Sequence, residues 1–220
     1  MSSPNPRTSH PATAAHGGVG APMLRLYGKR VVLRPLAGPD FPAWSECRKH
    51  NGEWLLKWEP LRPITQPDPA TDRDIFSARC NMRDRERQTG TSYSFGLFVD
   101  NVFCGEVNLN GVMRGAMQSA TIGYWIDQRQ AGNAYVAEAV VTLFRFAFDE
   151  LHLHRLEICI IPRNTNSLRV VEKIGLRNEG LAERFLEING VWEDHFRFAI
   201  TVEEWLDRRD QLTQAWLSKD

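Results

Sequence analysis

The most restrictive feature of this sequence is a change of hydrophobic period between residues 119 and 151. Residues 119–126 are the third of three consecutive strand candidates, whereas beyond residue 136 the apolar positions recur about every 3.6 residues instead of every two. The positions on this helical face are Ala137, Val140, Val141, Phe144, Phe148 and Leu151. A strand followed by a strongly amphipathic helix predicts a layered domain in which helices cover a sheet.

The remaining elements follow from the same patterns. We predict further strands at residues 30–36, 92–99, 103–109 and 155–161, with a turn at Asp100-Asn101. Helices are predicted at residues 40–58, 71–88 and 167–174. A hairpin over residues 185–200, turning at Asn189-Gly190, and a polar helix from Val202 close the chain. This order predicts a mixed α/β (α+β) fold rather than a repeat array.

One domain, residues 23–208, accommodates all of these elements except the end of the last helix. Residues 1–22 lack hydrophobic periodicity and are rich in Pro and Gly, so we predict a disordered N-terminal tail. Residues 209–220 are predicted to form a polar C-terminal helix or tail. The chain of 220 residues is long enough to bury a sizeable core.

Composition excludes several classes of function. The 27 basic residues balance the 27 acidic ones, so the overall charge favours neither nucleic acid nor an anionic membrane as a partner. The four cysteines are scattered, a spacing that fits neither a zinc site nor a disulfide framework. No secretory signal and no long apolar segment are apparent. We therefore expect a cytoplasmic protein without a metal ion.

The junction between the third of these strands and the amphipathic helix is suited to binding an anion. Gly132 and its small neighbours let a ligand approach the backbone, and the first N–H groups of a helix lack partners within it. Arg129 could add a charge-assisted contact. The spacing alone is equally compatible with an ordinary strand-to-helix turn that carries an exposed arginine.

The segment Arg129-x-x-Gly132-x-Ala134 resembles the acetyl-CoA loop of the GCN-related N-acetyltransferases (GNAT). Residues 122–127, 137–139, 164–167 and 172–176 resemble successive motifs of the same family, in the same order. Residues 112–115 and 185–195 are similar to the RimJ-type ribosomal-protein alanine acetyltransferases, a resemblance that covers roughly residues 24–206.

The resemblance implies the GNAT fold, a mostly antiparallel twisted sheet flanked by helices and splayed between strands 4 and 5. Acetyl-CoA would be the co-substrate, its pantetheine arm lying in the splay like an added strand. Trp125 and Ile126 would pair with this arm, and Asn164 and Ser167 would line the other side. The residues implied to hold the pyrophosphate are Arg129, Ala131, Gly132, Asn133, Ala134 and Tyr135.

The proton donor and the base are less clearly marked. Ser167 is the candidate donor to the departing thiolate, although it could equally be the N-cap of the helix that follows. Tyr124 is a second donor candidate, with a core aromatic as the alternative. Many relatives carry a glutamate where this chain has Thr121. Glu106 on the preceding strand is therefore the candidate base, and a water relay is the alternative.

The acceptor implied by the resemblance is the N-terminal alanine amine of a ribosomal protein. The candidate acceptor-binding residues are Trp54, Trp58, Asn110, Arg114 and Asp194. Period-two alternation places Asp194 on an aromatic face, where it either holds the amine or pairs with a buried arginine, and gives His195 a structural role on the opposite face. A small amine acceptor and a CoA-binding module with weak catalysis are alternatives. We expect a monomer or a homodimer.

Overall fold

The computed structural model describes residues 24–217. The predicted disordered tail over residues 1–22 lies outside this range. In the described part of the chain, no helix combines the length and the apolar character that crossing a membrane requires.

One eight-stranded sheet organises the chain, with the strand order β1-β2-β3-β4-β5-β6-β8-β7. The strands are β1 Leu26–Tyr27, β2 Val31–Arg34, β3 Tyr93–Val99, β4 Val102–Met113, β5 Ser119–Ile126, β6 Arg155–Ile160, β7 Arg177–Ile188 and β8 Val191–Thr201. All neighbouring strands are antiparallel except β5 and β6. The predicted mixed fold with a mostly antiparallel sheet is confirmed.

Six helices accompany the sheet: α1 Phe41–His50, α2 Gly52–Leu56, α3 Arg73–Thr89, α4 Tyr135–Arg145, α5 Thr165–Lys173 and α6 Val202–Trp216. A π-helical turn, Phe146–Glu150, continues α4. The helix predicted over residues 40–58 is therefore two helices. They are separated at Asn51, whose buried side-chain amide donates to the carbonyl of Cys47 and accepts from the N–H of Gln128 at 2.8 Å each.

Two tight turns connect their strands as predicted. Asp100 and Asn101 have φ values of 50° and 64°, and Asn189 and Gly190 have 48° and 80°. Positive φ at both central residues is the geometry of a type I′ hairpin turn. The hairpin strand β7, however, begins at Arg177 instead of residue 185, because it is an exposed edge strand with two register shifts and shows no regular alternation.

Helix α4 lies against the sheet and supplies much of the core, since Ala139, Val140, Leu143 and Phe144 are inaccessible to solvent. Glu138 in its first turn is also buried. Its carboxylate accepts from the Arg30 side chain at 2.8 Å and from the Val31 N–H at 2.8 Å. Glu138 thus joins α4 to the start of β2, a role beyond favourable charge near the helix start.

Helix α6 begins with a capping box between Thr201 and Glu204. Trp205, Leu212 and Leu217 are buried in the core. The helix runs through residue 208 without a break, so the predicted boundary at 208/209 does not separate it from the domain.

The sheet opens between β5 and β6. These strands pair only from Ser119 to Thr121, opposite Arg155 to Glu157. Residues 122–126 of β5 have no strand partner on this side, while β6 remains paired with β8 along its other edge. This opening is the predicted splay. Its two strands are the fifth and sixth of the chain rather than the fourth and fifth, because the short strand β1 precedes them. The opening leaves a free strand edge inside the domain.

Gly105 of β4 fixes how closely β4 approaches the splayed strand. A Cβ atom here would lie 2.2 Å from the carbonyl oxygen of Trp125, which is backbone and cannot rotate away. We expect Gly105→Ala to lower the free energy of unfolding by about 1–3 kcal/mol in denaturant titrations. Gly52→Ala is the matched control, since a Cβ there meets nothing within 4 Å and alanine favours a helix. Equal stability of the two variants would contradict the prediction.

Candidate active site

A cleft in three connected parts occupies the splay. The first part lies at the start of α4, the middle part lies beside β5 and encloses about 380 Å³, and the far part reaches β6 and the β7–β8 hairpin. The first two parts share Trp54, Ile126, Val136, Asn166 and Val170. The middle and far parts share Trp58, Gly123, Tyr124, Asn164 and Ser167. One continuous channel therefore runs through the splay.

The start of α4 forms a cradle of backbone donors over residues 131–137. Gly132 and Ala134 adopt left-handed conformations with φ values of 87° and 62°. The first backbone bond of the helix runs from the Glu138 N–H to the Ala134 carbonyl. Among residues 24–217, no acceptor takes the N–H groups of residues 132–137. Such a cluster of unpaired donors at the positive end of a helix binds anions.

Arg129 does not line this cradle. Its guanidinium donates to the carboxylate of Asp127, with Nη2 2.6 Å from Oδ2, and Asp127 also accepts from the Arg129 N–H at 3.0 Å. Burial raises the pKa of Asp127, but hydrogen bonds from Arg129 outweigh it and hold the pKa at about 2. Arg129 thus fixes the shape of the loop, and its predicted contact with a phosphate stays a prediction.

Two other cations lie at the cradle. Arg169 and Lys173 of α5 line the first part of the cleft and are four residues apart, so they share one helix face. Their spacing was the available signal in the sequence, but only the tertiary structure brings α5 beside the start of α4. They supply the positive side chains that Arg129 does not.

The middle of the cleft brings together most of the predicted site residues. Trp125 and Ile126 line it from β5, Asn164 and Ser167 from α5, and Trp54 and Trp58 from α2 and the turn after it. Asn108 of β4, opposite Gly123, also lines this part. Period-two spacing from Glu106 could have identified Asn108, whereas Glu59 in the turn after α2 carries no such signal.

The two candidate proton donors are neighbours. The Tyr124 hydroxyl donates to the Ser167 carbonyl at 3.4 Å. Burial raises the pKa of Tyr124, so its hydroxyl keeps its proton. Ser167 is the third residue of α5, and the N-cap is Asn164, whose Oδ1 accepts the Ser167 N–H at 3.2 Å. The interpretation of Ser167 as an N-cap is therefore wrong.

Glu106 is buried in a charged cluster and does not line the cleft. Its carboxylate accepts from Arg79 Nη2 at 2.7 Å, from Arg83 Nη1 at 2.6 Å and from the indole N–H of Trp44. Burial raises its pKa, but Arg79 and Arg83 outweigh this and hold the pKa at about 2. Because Glu106 is buried beneath these donors and lines no part of the cleft, its carboxylate has no access to an acceptor there, and this geometry does not favour its predicted role.

Two of the predicted acceptor-binding residues have contacts outside the cleft. Arg114 lies at the other end of β4 and donates to the Leu151 carbonyl at 2.5 Å. Asp194 accepts the backbone N–H of Arg184 at 2.8 Å, a bond that supports the irregular pairing of β7. Asn110 lies beside the middle part, because its Nδ2 is 3.1 Å from the position that a Cβ of Gly123 would take.

His195, predicted to be structural, lines the far part of the cleft together with Tyr124 and Ser167. Its ring is buried and its Nδ1 lies 2.9 Å from the Glu193 carbonyl oxygen. Over residues 24–217, no group of three or more His, Cys, Asp and Glu side chains is arranged to hold a metal ion.

Comparison with known proteins agrees with this architecture. The family model described as the acetyltransferase (GNAT) domain matches residues 30–177. A probable N-acetyltransferase of Bacillus subtilis, YjcK, is 34% identical over 177 residues, which cover 80% of this chain and 96% of that protein. The ribosomal protein uS5-alanine N-acetyltransferase of Escherichia coli is 29% identical over 190 residues, 86% of this chain and 96% of that protein.

Among solved structures, Mycobacterium smegmatis RimJ in complex with CoA-disulfide has a TM-score of 0.78 and 31% sequence identity, covering 88% of this chain and 93% of that one. The fold and the splayed cleft thus define an N-acetyltransferase. The chain belongs to the GNAT acetyltransferase family.

Proposed function

We propose that this N-acetyltransferase transfers the acetyl group of acetyl-CoA to the N-terminal alanine amine of a ribosomal protein. The observation that carries the proposal is the position of the donor cradle, which opens directly into the channel beside the free edge of β5. A thioester carrier with a charged pyrophosphate at one end and a peptide-like arm needs this combination. The similarity to the CoA-bound mycobacterial RimJ supports the same ligand.

The cleft offers groups suited to two parts of acetyl-CoA, the pyrophosphate and the pantetheine arm. The pyrophosphate accepts from the unpaired N–H groups of Gly132, Asn133, Ala134 and Tyr135 and pairs with Arg169 and Lys173, while Ala131, whose own N–H donates to the Gln128 carbonyl, lines the edge of the cradle. A Cβ at Gly132 would meet nothing within 4 Å, so the backbone is open to the ligand. The pantetheine arm pairs with β5 at Trp125 and Ile126, and Asn164 and Ser167 face it from α5.

The reaction requires positioning more than strong base catalysis. An α-amine has a pKa of about 8, so roughly a tenth is the free nucleophile at neutral pH. Its nitrogen attacks the thioester carbon, and a backbone N–H of the splayed strand stabilises the oxyanion. The carbon–sulfur bond then breaks, and Ser167 or Tyr124 passes a proton to the thiolate.

The acceptor is proposed from the uS5-alanine N-acetyltransferase relative and from the rim of the cleft. Trp54 and Trp58 form one wall of the middle part, and Asn110 lies close to its opposite wall.

Three measurements test this function. Calorimetry should show acetyl-CoA binding, and thiol release should depend on a peptide that begins with alanine. Mass spectrometry of N-terminal peptides should show one ribosomal alanine terminus losing its acetyl group when the gene is deleted. Release of thiol with spermidine but not with peptides would contradict the acceptor, and absence of acetyl-CoA binding would contradict the function.

A further inference from the structure

The channel contains one carboxylate that the mechanism above does not use. The other titratable side chains that line its three parts are Arg169, Lys173, Tyr124, Tyr135, Cys159 and His195. Glu59, in the middle part, is the only acidic residue among the described residues that line the channel. The acceptor is a cation at neutral pH, since most of an α-amine is protonated there. A cation that leaves water for a partly enclosed cleft requires a counter-charge.

The backbone of Glu59 is held from two sides. Its carbonyl accepts the N–H of Asn189 at 2.9 Å, and its own N–H donates to the Leu56 carbonyl at 3.4 Å. The first of these bonds connects the turn after α2 to the β7–β8 hairpin, and the second holds the turn to the end of α2. The backbone of Glu59 is therefore fixed by two separate elements of the fold.

The side chain of Glu59 is oriented by Arg48. The two Arg48 Nη atoms donate to the two carboxylate oxygens at 2.7 Å each. The guanidinium also lies over the ring of Trp125, 5.1 Å from its centroid. A carboxylate has about four acceptor positions, and Arg48 takes two of them. Because Arg48 does not line the channel and Glu59 does, the remaining positions are available on the channel side.

The other cations around this mouth have contacts of their own. Arg163 lies over the ring of Trp58 and pairs with Glu193 at 2.5 Å. The ammonium of Lys57 lies 5.5 Å from the Trp54 ring centroid and 5.3 Å from that of Trp58. Among residues 24–217, Glu59 is thus the one anionic side chain that lines the channel.

We propose that Glu59 receives the acceptor amine, binding its ammonium group and taking the proton that must leave before attack. This inference rests on the proposed function. The ammonium gives one proton to Glu59, which passes it to solvent. The nitrogen then forms a bond to the acetyl carbon, the carbon–sulfur bond breaks, and the second nitrogen proton reaches the thiolate through Ser167 or Tyr124. The products are the amide, free CoA thiol and one proton in solution.

Glu59→Gln tests this role, with Glu53→Gln as the matched control because Glu53 is exposed on α2 and does not line the channel. The probes are an alanine-initiated peptide and its des-amino analogue, in which hydrogen replaces the N-terminal amine. In Glu59→Gln we expect the KM for the peptide to rise at least about tenfold, while the Kd for acetyl-CoA is unchanged. Inhibition by the des-amino analogue should be unchanged, since that analogue carries no charge for Glu59 to bind.

Other outcomes of this experiment would contradict the role of Glu59 or the proposed function. If Glu59 had a merely structural role, Glu59→Gln would weaken the binding of the peptide and of its des-amino analogue equally. That result would overturn the proposal. So would kinetics of Glu59→Gln equal to those of Glu53→Gln. Glu59→Asp keeps the charge and should retain more activity than Glu59→Gln, which separates charge from folding if the glutamine variant is unstable. If the unmodified enzyme binds no acetyl-CoA, the proposed function itself fails.

Discussion

A Gly132→Trp variant should lose measurable acetyl-CoA binding, with the Kd weakened by at least about a hundredfold, while the domain still folds. The indole would occupy the cradle where the pyrophosphate accepts its hydrogen bonds. The fold survives because a Cβ at Gly132 meets nothing within 4 Å. The positive φ of 87° adds a local cost of about 1–2 kcal/mol for a residue with a side chain. Calorimetry with acetyl-CoA measures the loss.

Gly115→Trp is the matched control for this variant. Gly115 also has a positive φ, 65°, and a Cβ there also meets nothing within 4 Å, but it lies in the turn between β4 and β5, away from the channel. Both variants should show similar losses of thermal stability, and only Gly132→Trp should lose the ligand. Unchanged acetyl-CoA affinity in Gly132→Trp would show that the phosphates bind elsewhere.

The second large effect concerns the buried charge cluster around Glu106. Glu106→Gln should lower the free energy of unfolding by about 3–5 kcal/mol, because it leaves Arg79 and Arg83 without their shared counter-charge in a buried site. The side chains of Arg79 and Arg83 are only 16% and 25% exposed, so water cannot replace the lost carboxylate. Denaturant titration near neutral pH measures the difference.

The stabilisation of the folded protein by Glu106 should decrease as the pH falls. The folded pKa of Glu106 is about 2, below its ordinary value of 4.5. The cluster therefore stabilises the native protein fully above pH 4.5, and this contribution disappears as the pH falls towards 2. The difference in stability between the parent protein and Glu106→Gln should shrink over this range. An exposed control, Glu187→Gln on β7, should show no comparable loss at any pH.

The same variant also tests whether Glu106 is the catalytic base. If Glu106 were the catalytic base, Glu106→Gln would lose turnover even under conditions in which it remains fully folded. We expect the folded fraction to keep most of its acetyl transfer, since Glu106 does not line the channel. Activity per folded molecule, measured alongside unfolding, checks this.

The predictable part of the fold follows from local patterns. The amphipathic face of α4 and the two turns with positive φ depend only on residues that are close together in the chain. The structure agrees with the prediction for the helix and for the turns. The cradle could also be predicted from local sequence, because unpaired N–H groups exist at the start of any helix. The N-cap of α3 is equally local, since the side chain of Asp72 accepts from the backbone N–H groups of Asp74 and Ile75.

Contacts between residues far apart in the chain could not be predicted from such local patterns. Asn51 divides the predicted helix over residues 40–58 through a bond to Gln128, which is 77 positions away. Arg129 has the right spacing for a phosphate contact, but the neighbouring Asp127 is buried and holds it. Glu106 reads as an ordinary strand residue until α1 and α3 cover it with Trp44, Arg79 and Arg83.

By itself, the sequence determined the periods of the strands and helices, the turn chemistry and the backbone donors at the start of α4, because each depends on residues within a few positions of one another. The tertiary structure decided which charges meet. The acid lining the channel is Glu59 rather than Glu106, and the cations at the cradle are Arg169 and Lys173 rather than Arg129. The physical reason is that burial and pairing determine what a charged side chain can do, and both depend on elements far apart in the chain.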